Sequence, residues 1–146
     1  MTTTRWLRAS AVISLLFAVA HSLGGRKYWS PMGENAVLNA MRGSRFHIEG
    51  VDRSYLDFYL GFGYSISVFQ AMLAVLLWQL GTLARSNPKA ASPMIIAIAL
   101  ATALCGGISY IFILPLPALF SMVLLASLAV AALLARGALA IPASQP

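Results

Sequence analysis

The sequence predicts an all-α fold: a four-helix transmembrane bundle with a short amphipathic, interfacial helix between helices 1 and 2. Three observations carry this. Apolar residues make up 60% of the 146 residues. Charged residues make up only 10%, against roughly 25% in ordinary soluble domains. Four apolar stretches each reach the ~18 residues that a bilayer span requires. A chain of this length is read as a single membrane domain, 1–146.

The first span covers about residues 7–25, "LRASAVISLLFAVAHSLGG", with Arg5 and Arg8 at its head. Its basic start and "AVA" at 18–20 also have the shape of a cleavable secretory signal. Cleavage would still leave a membrane protein. The second span covers about 54–80. At 1.5 Å per residue it outruns the roughly 30 Å hydrocarbon core, so its first turns project into the interface or the helix tilts. The third span covers about 93–114, with Ser92 as cap and Pro93 at the first helical position. "LPLP" at 114–117 makes a tight turn into the fourth span, about 117–139. The tail "IPASQP" reads as frayed.

The connection at 26–53 is the only long one. Within it "GENAVLNAMRG" reads as a short helix with Val37, Ala40 and Met41 on one face. Such a segment lies on the membrane surface or covers the end of the bundle. Four spans put both termini on one side. Lys and Arg are tied across the layout: Arg5, Arg8, Arg85, Lys89 and Arg136 oppose Arg26, Lys27, Arg42, Arg45 and Arg53. Arg5 and Arg8 before the first helix favour cytoplasmic termini. Trp6 and Trp78 mark one interface and Trp29 the other.

The polar groups are unevenly placed. All four acids (Glu34, Glu49, Asp52, Asp57) and both histidines (His21, His47) fall between residues 21 and 57. Any ionisable site therefore belongs to the end of helix 1, the connection and the start of helix 2. Ser10, Ser14, Ala18 and His21 lie on one helical stripe. His21 is then either an interfacial histidine bonded to backbone or a bundle-facing proton carrier. Asp57 shares a face with Gly61, Tyr64 and Val68, with Ser65 at its edge. Acids within a membrane segment usually face the protein interior and act there. The competing reading is structural: "Ser54-x-x-Asp57" matches a capping box, and a helix dipole favours an acid in its first turn. An acid/base site would use His21, Glu49 and Asp57 as its chemical groups, with His47, Asp52, Arg53, Tyr59 and Tyr64 around the ligand. Thr102, Gly106, Ser109 and Ile113 form a small-residue face on helix 3, read as a packing seam or else a pocket wall.

Several classes are excluded or disfavoured. No basic run with interleaved aromatics indicates nucleic acid, so the net charge of +6 is read as headgroup anchoring. A lone cysteine, Cys105, rules out an intramolecular disulfide and a cysteine metal cluster, and reads as buried. No P-loop, zinc motif, nucleophile elbow or dinucleotide fingerprint occurs. Axial haem ligation by His21 and His47 is disfavoured because they sit on a helix end and a connection. The reading calls for no metal and no cofactor. A transporter is disfavoured because no acid follows residue 57 and no inverted repeat is visible.

"HSLGG" at 21–25, "MRGSRF" at 41–46 and above all "RSYLDFYLGFGYSISVFQ" at 53–70 with "LAVLLWQLG" at 73–81 resemble an uncharacterised family of short four-helix bacterial integral membrane proteins. The resemblance covers most of the chain. It implies a bacterial inner-membrane protein in which "HSLGG" belongs to the working chain, and it implies no activity. A looser architectural analogy, to the sterol isomerase bundle, carries no residue role. The sequence thus supports a small membrane protein with a polar pocket at one membrane face, receiving a lipophilic small molecule. The alternatives are a non-enzymatic accessory subunit or homo-oligomer and, third, a small transporter.

Overall fold

The computed structural model describes residues 2–139; the tail reading falls outside them. Four long helices dominate: α1 (Thr3–Gly25), α3 (Tyr55–Ser86), α4 (Pro88–Phe112) and α5 (Pro115–Leu139). Between α1 and α3 lie a short helix, α2 (Ala36–Gly43), and two strands, β1 (Arg45–Ile48) and β2 (Val51–Ser54). All four long helices are long and apolar enough to cross a membrane, which fits a small, multi-pass integral membrane protein. The chain forms two compact units, Met1–Leu15 with Met72–Pro146, and Leu16–Ala71.

The first unit is the four-helix bundle. It joins the start of α1, the end of α3, and α4 and α5 around Leu7, Leu77, Ile95 and Leu128, all fully buried. The rest of this core is largely alanine: Ala11, Ala84, Ala91, Ala131 and Ala135. In lipid, apolar helices gain little from hiding apolar surface from one another, so small residues that permit close approach and hydrogen bonds between helices hold the bundle. Both are present. Ser10 and Ser127 share a buried hydrogen bond of 2.8 Å, and Ser127 Oγ also donates to the Trp6 carbonyl at 3.3 Å. A Cβ at Gly106 of α4 would lie 2.9 Å from Ser121 Cβ of α5. On the small-residue face of α4, Gly106 thus packs against α5, and Thr102 and Gly106 also line an open recess of about 280 Å³ with Ala118, Ser121 and Met122, so both the seam and the pocket-wall readings have support. Arg8 stacks its guanidinium 4.8 Å over the Trp78 ring.

Two boundaries and one burial in this unit differ most from the sequence reading. α3 runs on to Ser86 because Gly81 does not stop it: a Cβ there would be 3.4 Å from the Thr4 carbonyl oxygen, so this glycine serves close packing. α4 starts at Pro88, with Asn87 as cap accepting the Ala90 N–H at 3.0 Å. "Asn87-Pro88" is as good a start as "Ser92-Pro93", and using it adds more than a turn of bonded backbone. Ser92 is buried inside α4 and Pro93 lies in its interior. Cys105 is exposed rather than buried, because no residue of α4 beyond Thr102 is buried.

The second unit carries the connection. Asn35 caps α2, accepting the Val37 and Leu38 N–H groups at 3.0 and 3.1 Å. The inward face of α2 is Leu38, buried, with Met41 half-buried, while Val37 and Ala40 are exposed. The expected Val37–Ala40–Met41 face is thus rotated by one residue, because Leu38 and Met41, three apart, supply the docking side. Arg42 pairs with Glu34 at 2.9 Å and lies 5.6 Å over the Tyr28 ring. The bonded Glu34 carboxylate raises the already high pKa of Arg42, so the cation persists at any physiological pH.

The strands are the feature not anticipated. They pair antiparallel as Arg45↔Ser54, Phe46↔Arg53, His47↔Asp52 and Ile48↔Val51. Glu49 and Gly50 form the two-residue turn, both at positive φ (55° and 77°). This is the turn geometry whose twist matches paired strands. The Tyr55 N–H donates to the Ser44 carbonyl at 3.2 Å and closes the base.

Candidate functional site

The candidate site residues of the second unit fall into three groups, each built by a different local device.

The first group is the start of α3. Ser54 closes β2 and caps α3. Its N–H and Oγ–H both donate to Asp57 Oδ2, at 2.8 and 2.9 Å, while the Asp57 N–H donates back to Ser54 Oγ at 3.1 Å. This is a reciprocal capping box with aspartate at the third helical position. Asp57 is exposed and Ser54 is buried. Next to the cap is an open recess of about 300 Å³, lined by Arg53, Asp57, Phe58, Gly61, Phe62 and Ser65. A Cβ at Gly61 would meet nothing within 4 Å, so the missing side chain is part of the recess. Phe58 and Phe62 meet edge-on at 4.9 Å, and Phe46 from β1 meets Phe58 at 6.2 Å and Tyr55 at 5.3 Å.

The second group gathers on Trp29. After α1 the chain turns sharply, with Tyr28 and Trp29 both at positive φ (54° and 47°). Non-glycine residues rarely adopt this conformation. The turn folds the Trp29 ring back over Gly24, Gly25 and Gly63. Its Nε1–H donates to the His21 carbonyl at 2.9 Å. His21 lies between Phe17 (centroids 5.7 Å) and Trp29 (5.0 Å). His21 Nδ1 and Ser67 Oγ of α3 are hydrogen-bonded at 3.0 Å. Tyr59 and Tyr64 meet Trp29 edge-on at 6.2 and 5.1 Å. His21 is half-buried on the inward stripe with Ser10, Ser14 and Ala18.

The third group is the outer part of the hairpin. Glu49 occupies the turn, and His47 faces Asp52 across the strands. Asp52 pairs with Arg45 at 3.2 Å, both well exposed. Arg53 donates to the Asp52 backbone carbonyl at 2.9 Å.

Among the described residues, no hydrogen bond or ion pair joins any two of His21, Glu49 and Asp57. No group of three or more metal-binding side chains occurs among them either. Comparison with protein-family models, curated proteins and solved structures finds no match. The expected face of Asp57, Gly61 and Tyr64 divides. Asp57 and Gly61 line the recess with Ser65, while the Tyr64 ring turns to Trp29. The recess lies on the Phe58 and Ser65 side of that stripe, which leaves Tyr64 outside it, and a long side chain there can lean the other way, to Trp29.

Sequence reasoning missed three partners: Ser67, Gly63 and the Trp29 latch. The signal was present in part. Gly63 lies between Tyr59 and Tyr64, and "GG" precedes Trp29 by four residues. Glycines next to aromatics mark places where a ring lies against backbone.

Proposed function

We propose that this chain is a membrane protein that binds a lipophilic molecule with a polar head, in the recess beside the start of α3. The observation that carries the reading is the composition of the recess. Arg53 and Asp57 stand at one end, and Phe58, Gly61 and Phe62 make the apolar remainder. A site with a few charged groups and an apolar floor is the usual form of a small-molecule site. Its volume, about 300 Å³, is near the lower end of the range for such sites. It suits a head and the first part of a chain, with the rest left in the bilayer.

Binding is favoured over acid/base conversion. The Asp57 carboxylate is occupied by the Ser54 cap, and Glu49 belongs to the hairpin turn. The same reading sets the protein in the bacterial inner membrane with both termini cytoplasmic. Arg5 and Arg8 ahead of the first span support the orientation, and the family resemblance supports the membrane. Reporter fusions at each terminus test it.

Native mass spectrometry of the full chain, released from detergent, tests the binding. Wild type should retain an amphiphilic adduct and Gly61→Leu should lose it. Open space at the Gly61 Cβ position means the variant should keep its melting temperature. Equal retention by both proteins overturns the reading.

A further inference from the structure

The polar end of the recess has an unusual charge arrangement. Arg45 and Arg53 both lie within electrostatic range of the Asp57 carboxylate. Yet among the described residues neither Arg53 nor Asp57 forms an ion pair, and Asp52, next to Arg53 in the chain, pairs with Arg45 instead. Arg53 has only a backbone carbonyl, that of Asp52. On Asp57 all three capping contacts involve Oδ2 or the backbone N–H, and Oδ1 accepts nothing among the described residues. The recess therefore presents an uncompensated guanidinium and a carboxylate oxygen side by side. They form no ion pair with each other, and both line the one recess.

Two unpaired charges of opposite sign select a head that carries both. A guanidinium binds phosphate through parallel N–H donors. A carboxylate oxygen accepts from a primary ammonium, and cannot do so from a quaternary one, which has no N–H. The depth agrees. α3 has 32 residues, about 48 Å at 1.5 Å each, so it exceeds the ~30 Å core by about twelve residues. Its first turn holds the only acid of the four long helices, which places that overhang in the headgroup layer. Phe58, Gly61 and Phe62 then follow toward the hydrocarbon, where an acyl chain would run.

We infer that the recess selects a phospholipid whose head joins a phosphate to a primary ammonium, with the phosphate on Arg53, the ammonium on Asp57 Oδ1 and the proximal chain along Phe58–Gly61–Phe62. This rests on the binding reading above and goes further by naming the head.

The test uses the full chain in detergent micelles doped in turn with dioleoyl phosphatidylethanolamine, phosphatidylcholine or phosphatidylglycerol, read by native mass spectrometry. Wild type should retain the ethanolamine lipid about tenfold better than either other, as a charge-assisted hydrogen bond allows. Arg53→Gln should lower retention of all three, and Arg53→Lys should restore part of it. Asp57→Asn keeps an oxygen for the cap, so it should erase the preference while leaving the glycerol lipid bound. Excess glycerophosphoethanolamine, a head without chains, should compete weakly. Equal retention of the three lipids, with Gly61→Leu still abolishing it, overturns the head selectivity and leaves the binding site standing. Retention that is indifferent to Gly61→Leu overturns both. Full competition by the chainless head would make the ligand a soluble phosphoamine and overturn the lipid assignment.

Discussion

Trp29 packs directly against Gly63, so close that a Cβ at Gly63 would overlap the six-membered part of the indole. The ring cannot move away freely, because its Nε1–H is bonded to the His21 carbonyl and its backbone is held at positive φ. Gly63→Ala should therefore destabilise the protein by about 1–3 kcal/mol, the usual cost of overpacking. Gly61→Ala, two residues away with open space at its Cβ, should be neutral or slightly stabilising by helix propensity. Thermal melts of the two variants in one detergent decide the matter. Equal melting temperatures would mean that Trp29 does not hold this position.

The capping box gives a second contrast. Ser54→Ala removes the acceptor for the Asp57 N–H and one donor to the carboxylate. It should cost about 1 kcal/mol, as loss of a serine N-cap does. Asp57→Ala should destabilise in the same direction, and the double variant should cost clearly less than the sum, since the two side chains serve one device. A double-variant cycle by denaturation in detergent reads this directly. Strict additivity would show that Ser54 and Asp57 act separately.

The sequence and the structure agree where physics is local. The four spans are legible because lipid demands apolar length, and the Ser54–Asp57 box because a cap is a four-residue motif. The hairpin is harder. "RFHI-EG-VDRS" alternates, but each strand has only four residues, and glutamate is an atypical choice for a positive-φ turn position. The pairs that organise the second unit are non-local. His21 and Ser67 are 46 residues apart, and Trp29 meets a glycine from another helix. No periodicity within one segment contains that information. The acids looked like one cluster along the chain. The hairpin separates them, since its turn takes Glu49 and its strands take Asp52, while the helix start takes Asp57.

Within the bundle, Ser10 and Ser127 test how much an interhelical hydrogen bond holds in this chain. Both side chains are buried, and Ser127 Oγ also reaches the Trp6 carbonyl. Ser10→Ala or Ser127→Ala should each cost about 0.6–1.7 kcal/mol, the range for such bonds between membrane helices. Ser127→Ala should be the larger, because it removes two contacts. Ser127→Val, which fills the space without the hydroxyl, separates packing from hydrogen bonding. A variant as stable as wild type would place the stabilisation in the alanine-lined packing instead.

The bond between His21 Nδ1 and Ser67 Oγ makes the last prediction spectroscopic. Which group donates depends on the imidazole tautomer, and a hydroxyl on one ring nitrogen biases that choice. Nitrogen-15 spectra of histidine-labelled protein should show one dominant His21 tautomer in wild type, distinct from exposed His47. Ser67→Ala should shift the His21 nitrogens toward a mixture and leave His47 unchanged. Trp29→Phe keeps an aromatic ring against His21 but loses the indole donor to its carbonyl. It should perturb the His21 backbone amide environment more than the ring nitrogens. If Ser67→Ala leaves the His21 nitrogens where they were, the hydroxyl does not set the tautomer, and the aromatic sandwich of Phe17 and Trp29 must do so.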